Sequence, residues 1–89
     1  MIARDEFKPA VVPEDPGVYL LRDRRQTVIY VGKAACLRKR VSTYFRPSTR
    51  REANPRLRSL IDSVAWIECL AVRNEQESLL LESKLIKQF

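Results

Sequence analysis

The chain has 89 residues, with 17 Lys and Arg against 11 Asp and Glu, a formal net charge of +6 and no histidine. This length allows one domain. The missing histidine excludes Ser-His-Asp and Cys-His catalysis, an imidazole general base and histidine-containing zinc sites. No apolar run approaches the ~20 residues that cross a bilayer, and the N-terminus lacks the apolar core of a signal peptide. Cys36 and Cys69 fit no disulfide or CxxC pattern, so we expect a reduced, cytoplasmic protein.

The first half of the chain predicts an antiparallel hairpin followed by a helix. Residues 1–12 are expected to be an irregular lead-in, because several prolines discourage regular structure there and just beyond. Residues 18–21 and 27–31 have the composition of strands, and the short polar turn between them favours antiparallel pairing. The spacing of apolar residues then predicts a helix over residues 35–45.

The second half predicts two more helices and one more strand. Residues 47–55 are expected to form a polar, Arg-rich loop. Asn54 followed by proline is typical of a helix N-terminus and opens a short amphipathic helix. A third strand is predicted over residues 65–72, and Asn74 opens a last helix that ends at Phe89. The order ββααβα predicts an α+β fold, with a small three-stranded antiparallel sheet flanked by about three helices.

Positive charge is concentrated in residues 33–58, where nine basic side chains are opposed only by Glu52. Such a surplus is typical of a surface that binds a polyanion, and arginine suits bidentate contacts to phosphate. A solvated basic face is the alternative, and a membrane surface is disfavoured because no strongly amphipathic basic helix accompanies the charge. We therefore predict a nucleic-acid interface formed by Lys33, Arg38, Lys39, Arg40, Arg46, Arg50, Arg51, Arg56 and Arg58.

One carboxylate interrupts the apolar stripe of the last helix. At about 100° per residue, Leu79, Leu81, Leu85 and their neighbours share one arc, and Glu82 falls near its middle. A carboxylate in such a place costs free energy unless it is ion-paired, protonated or bound to a cation. Two interpretations stay open: a buried ion pair with an arginine of the sheet or first helix, and a metal ligand or acid–base group that faces a cleft.

Two tyrosines of the predicted hairpin lie close to the only two glycines. Tyr19 and Tyr30 are each within two residues of Gly17 or Gly32. Core packing is the ordinary interpretation of a tyrosine in a strand. Glycine, however, permits a turn or the close approach of a ligand to the backbone. The ammonium of a lysine such as Lys33 favours the ionised form of a nearby phenol.

Four segments in this order resemble the GIY-YIG nuclease family and, within it, the UvrC-type branch: Pro16–Tyr19, Ile29–Ala34, Leu37–Phe45 and Glu77–Phe89. The resemblance covers residues 9–89 and implies a single GIY-YIG nuclease domain over residues 1–89. It implies a DNA endonuclease that hydrolyses a phosphodiester with one Mg²⁺ or Mn²⁺ ion. The UvrC-type branch makes the incision on the 3′ side of a lesion in bacterial nucleotide excision repair.

The resemblance also implies roles for individual residues. Glu82 corresponds to the metal-binding glutamate, and Arg40 to the arginine that holds the scissile phosphate. Tyr19 and Tyr30 correspond to the two motif tyrosines, one of which helps to activate the attacking water. The other matched side chains that line the site are Lys33 and Tyr44.

Departures from the family pattern limit what we expect of the chain alone. Gln26 stands in the turn where a glycine is usual, and the chain ends before the segment in which relatives carry an asparagine near the site. We therefore expect an excised N-terminal domain of a longer bacterial protein, monomeric and weakly active. The expected partners are double-stranded DNA and UvrB-like subunits, with no membrane. The alternatives are a non-catalytic DNA-binding module, a free-standing GIY-YIG nuclease outside excision repair, and an interaction domain for an acidic protein.

Overall fold

A four-stranded antiparallel sheet with helices on both faces forms the body of the computed structural model, which describes residues 1–89. The strands follow the spatial order β1-β4-β2-β3 and are β1 (Ile2–Ala3), β2 (Gly17–Arg22), β3 (Val28–Ala34) and β4 (Trp66–Ala71). The helices are α1 (Leu37–Tyr44), α2 (Pro47–Glu52), α3 (Pro55–Ser63) and α4 (Glu75–Gln88). The predicted α+β class and the antiparallel hairpin are confirmed. No helix is long and apolar enough to cross a membrane.

The N-terminal segment is more regular than its prolines indicate. β1 pairs with β4, so the sheet has four strands rather than the predicted three, and two short 3-10 helices follow β1. The guanidinium of Arg4 donates hydrogen bonds to the carbonyl oxygens of Ile61 and Val64 at the end of α3. The N-terminus is therefore attached both to the sheet and to a helix.

The predicted Arg-rich loop is also wrong in part, because residues 47–52 form α2. Pro47 occupies the first turn, where its fixed φ suits a helix and its missing N–H is not needed. The bidentate ion pair between Arg50 and Asp62, with N–O distances of 2.8 and 2.9 Å, joins α2 to α3. The protein thus has four α-helices, one more than predicted.

The two faces of the sheet are covered by different helices. Tyr19 and Leu21 of β2 belong to the core that Leu37 and Val41 of α1 complete. Val18 and Leu20 of β2 point to the opposite face of the sheet and are buried there. The helix α4 packs against β2 and β3. β3 pairs only with β2 and forms a free edge of the sheet.

The turn between β2 and β3 shows why a glycine is usual here in the family that the chain resembles. Gln26 has a φ of 64°, in the left-handed region that favours glycine. Asp23 supports the turn, because its Oδ1 accepts hydrogen bonds from the backbone N–H groups of Arg25 and Thr27. The hairpin therefore keeps its backbone path and accepts a side chain at the strained position.

Candidate active site

Three tyrosines meet on the face of the sheet that α1 covers. The ring centroids of Tyr19, Tyr30 and Tyr44 lie 5.7 to 6.3 Å apart. The hydroxyls of Tyr19 and Tyr44 are 2.9 Å apart and hydrogen-bonded, and either can donate. The strand register explains the cluster, because Tyr19 lies opposite Gly32 and Tyr30 opposite Leu21. The two strand tyrosines are therefore diagonal neighbours on one face, within reach of each other.

Gly32 makes room for one of these rings. A Cβ at position 32 would lie 2.4 Å from both Cζ and Oη of Tyr19. Neither glycine of the chain has a positive φ, so the requirement is for space and not for a special backbone conformation. The atoms that approach this glycine closely belong to Tyr19, so the structure gives an internal packing reason for it, where the sequence pattern suggested a turn or a ligand.

Burial distinguishes Tyr19 from Tyr30. Tyr19 is 1% exposed and Tyr30 is 39% exposed. Burial raises the pKa of Tyr19 far above its ordinary value, and the hydrogen bond with Tyr44 raises it further. Burial also raises the pKa of Tyr44, while the positive charge of Arg40 acts in the opposite direction on both groups. Tyr19 therefore stays neutral at physiological pH, and Tyr30 is the most exposed phenol of the cluster.

The two predicted cations lie on different sides of β3. Arg40 precedes Tyr44 by one turn of α1, is exposed and makes no ion pair. Lys33 is also exposed, but it pairs with Val18 and is an odd number of residues from Tyr30. Its side chain therefore leaves the strand on the opposite face. Lys33 does not lie beside the ring of Tyr30, contrary to what their nearness in sequence indicates.

Glu82 lies on α4 near the free edge of β3. β4 and β3 are both antiparallel to β2 and hence parallel to each other. Since the chain reverses after β4, α4 runs antiparallel to β3. Ile86 of α4 and Tyr30 line one groove at this edge. Glu82 is one helical turn earlier, about 6 Å further toward the end of β3 that carries Lys33.

Glu82 is a half-buried residue and makes no ion pair. The interpretation as a buried ion pair is therefore wrong. The apolar stripe around it is only partly covered, because Leu79 and Ile86 are 53% and 54% exposed. α4 thus presents an unpaired carboxylate at the sheet edge.

The donors at this edge are those of a weakly coordinated hard cation. No group of three or more His, Cys, Asp or Glu residues could hold a metal ion. A single carboxylate oxygen suits Mg²⁺, which keeps several water ligands and takes others from a substrate phosphate. Glu82 therefore fits a site with one protein ligand and does not fit a preformed metal cage.

The nine basic side chains of residues 33–58 are not equally available. Arg38 is bound to Glu14 at 2.6 Å, and Arg50 to Asp62. The Arg50 guanidinium holds the pKa of Asp62 below its ordinary value. Both acidic partners lie outside the basic segment, so its charge count alone overstates the free positive charge. The remaining seven make no ion pair: Lys33, Lys39, Arg40, Arg46, Arg51, Arg56 and Arg58.

Comparison with known proteins points to one family. A sequence model of the UvrC-like GIY-YIG domain matches residues 15–89. The chain is 47% identical over 81 residues to the UvrABC system protein C of Methanothermobacter thermautotrophicus, covering 91% of the chain and 13% of that protein. It is 42% identical over 85 residues to the protein of the same name from Chlamydia abortus, a match that covers 96% of this chain and 14% of that protein. The chain thus spans only about one eighth of the length of these curated relatives.

A solved structure shows the same fold. The GIY-YIG N-terminal endonuclease domain of UvrC from Thermotoga maritima, bound to its catalytic divalent cation magnesium, matches with a TM-score of 0.76 and 32% identity. The match covers 92% of this chain and 85% of that one. An asparagine-to-alanine variant of that domain, also bound to its cation, matches with a TM-score of 0.75. These matches in sequence and structure show that the chain belongs to the UvrC-like GIY-YIG family.

Proposed function

We propose that this chain is the catalytic domain of a DNA endonuclease that hydrolyses one phosphodiester with a single Mg²⁺ or Mn²⁺ ion. The observation that carries the proposal is Glu82, a half-buried residue that makes no ion pair and lies one turn of α4 before Ile86, which lines a groove with Tyr30. Neither packing nor ion pairing gives a reason for a carboxylate among the apolar residues of this helix. A function that needs its free oxygen atoms gives one.

Each side chain has a part in the proposed reaction. Glu82 would hold the cation through a carboxylate oxygen, and such an ion acidifies bound water and neutralises phosphate charge. Arg40 would bind the scissile phosphate through its free guanidinium and offset the charge that develops there. Tyr30 would orient the attacking water and accept its proton, because it is the most exposed of the three tyrosines. Tyr19 and Tyr44, hydrogen-bonded to each other, would hold Tyr30 in place.

The finer assignments are also proposals. We propose that residues 1–89 are one nuclease domain of a longer protein, which cuts on the 3′ side of lesions during nucleotide excision repair together with UvrB-like subunits. Such a domain acts where chromosomal DNA is, in the cytoplasm. The isolated chain should be a monomer with weak activity. It should also lack lesion selectivity, because the proposed site contains groups for a phosphodiester and none that reads damage.

Incision of supercoiled plasmid in Mg²⁺ or Mn²⁺ tests the proposal. Glu82→Gln should abolish nicking while leaving duplex affinity and thermal stability nearly unchanged. The matched control is Glu75→Gln, which removes an exposed carboxylate from the first turn of the same helix and should nick as the parent does. Nicking that survives EDTA, or Glu82→Gln at full activity, would refute the mechanism. Duplex binding without any nicking by the parent chain would identify a DNA-binding module.

A further inference from the structure

A second cavity opens beside Tyr30, away from the groove that α4 lines. Its volume is about 430 Å³. β3 supplies one wall and the first two turns of α3 with its cap supply the other. The lining residues are Ile29, Tyr30, Asn54, Arg56, Leu57 and Leu60.

The lining is apolar below and polar at the rim. Ile29, Leu57 and Leu60 are half-buried aliphatic side chains, and Tyr30 adds an exposed aromatic ring. Arg56 is exposed and makes no ion pair. The helix terminus itself is already satisfied, because the backbone N–H of Leu57 donates to the cap oxygen at 2.8 Å. The cavity is therefore lined by aliphatic side chains, one aromatic ring and one guanidinium without an ion pair.

This combination fits a nucleotide better than an apolar peptide. A base has two apolar faces, which stack on aromatic and aliphatic surfaces, and it carries a phosphate that a guanidinium binds. An apolar side chain would leave Arg56 without a partner. The other groove beside Tyr30 is lined only by hydrophobic residues, so it lacks a group for a phosphate. The surplus of unpaired cations across residues 33–58 also favours a polyanion.

We propose that the cavity between β3 and α3 is a nucleotide subsite that takes one unstacked base of the DNA strand next to the scissile phosphate. The base lies against Tyr30 and the aliphatic floor, and its phosphate lies on Arg56. This inference rests on the proposed function, because Tyr30 also belongs to the proposed reaction site. It adds that the enzyme must unstack a nucleotide beside the bond that it cuts.

Titration of the ¹⁵N-labelled chain with the dinucleotide pTpT in EDTA, followed by NMR, tests the subsite without any cleavage. The amides of Ile29, Tyr30 and Leu57 should shift saturably. Arg56→Ala should weaken binding by about fivefold or more. The matched control Arg51→Ala removes an unpaired arginine of α2 outside the cavity and should change the affinity by less than about twofold.

Three results would overturn the subsite. Equal binding of a pTpT analogue with an abasic residue in place of a thymidine would show that only phosphate is bound. Shifts confined to the basic surface of α1 and α2 would place the ligand elsewhere. Saturable shifts with uncharged N-acetyl-leucinamide, but not with pTpT, would assign the cavity to an apolar protein segment. Because the titration contains no metal, it separates this inference from the nuclease proposal, which plasmid nicking tests by itself.

Discussion

Replacing Gly32 with alanine should destabilise the fold by forcing Tyr19 out of its place. The new Cβ would lie 2.4 Å from Cζ and Oη and 2.8 Å from Cε1 of the Tyr19 ring. Non-bonded carbon atoms rest at about 3.5–4.0 Å, so the ring must move by roughly 1 Å. Tyr19 is 1% exposed, and its hydroxyl is bonded to Tyr44, so this movement meets packed atoms and breaks a hydrogen bond.

The magnitude follows from these two losses. Overpacking of this kind costs about 1–3 kcal/mol, and a lost hydrogen bond adds about 1 kcal/mol. The smaller entropy of the unfolded alanine chain offsets about 0.4–1 kcal/mol. The free energy of unfolding should therefore fall by about 1–3 kcal/mol. For a domain of this size the melting temperature should fall by about 4–8 °C for each kcal/mol.

Urea unfolding of a double-mutant cycle measures the effect. Tyr19→Leu removes the ring that clashes, so Gly32→Ala should cost little in that background although Tyr19→Leu is itself destabilising. The coupling free energy between the two positions should reach at least about 1 kcal/mol. If alanine at position 32 costs the same with and without the Tyr19 ring, the clash is not the reason for the glycine.

Three further predictions address ionisation and charge. Because the pKa of Tyr19 is raised in the folded protein, the unfolded chain releases a proton above about pH 10 that the folded chain keeps, so the free energy of unfolding falls as pH rises there. The Tyr19→Phe variant should therefore lose less stability than the parent between about pH 8 and 11, as measured by urea unfolding. An equal loss in the two proteins would count against this. Burial raises the pKa of Cys69 to about 11, so in a Cys36→Ser background its alkylation by iodoacetamide should quicken about tenfold per pH unit up to that value, without an earlier plateau. Arg46→Ala should lower the salt slope of duplex binding by about 0.9, whereas Arg50→Ala, whose guanidinium is already ion-paired, should leave the slope nearly unchanged in anisotropy titrations; equal slopes for both variants would refute the distinction.

Elements with a local signal could be predicted from the sequence. Asn54 and Asn74 cap their helices as expected, accepting hydrogen bonds from the N–H groups of Leu57 and Glu77. α2 could not be predicted, because it buries no residue and so has no apolar period. Its ion pair with α3 forms only when the folded chain brings Arg50 close to Asp62, so the local sequence does not reveal it. β1 has two residues, too few for an alternating pattern.

The site shows the same division between local and distant information. The sequence motifs indicate which residues belong to the candidate site, but their mutual geometry depends on contacts between distant segments. The hydrogen bond between Tyr19 and Tyr44 exists because α1 docks on the sheet. The ion pair of Arg38 with Glu14 joins residues 24 positions apart, so counting charges by segment could not reveal it. The side of β3 on which Lys33 lies does follow from strand parity, and could have been read from the sequence.

The two edges of the sheet differ in length and in what covers them, and this difference affects how the protein should behave in concentrated solution. β1 covers the edge of β4, whereas no strand pairs with the outer edge of the seven-residue β3. An open strand is a template for another strand. A second copy that paired there would lie directly across Tyr30 and Lys33. Self-association at this edge would therefore compete with the proposed binding of DNA, and nicking per molecule should fall as the protein concentration rises.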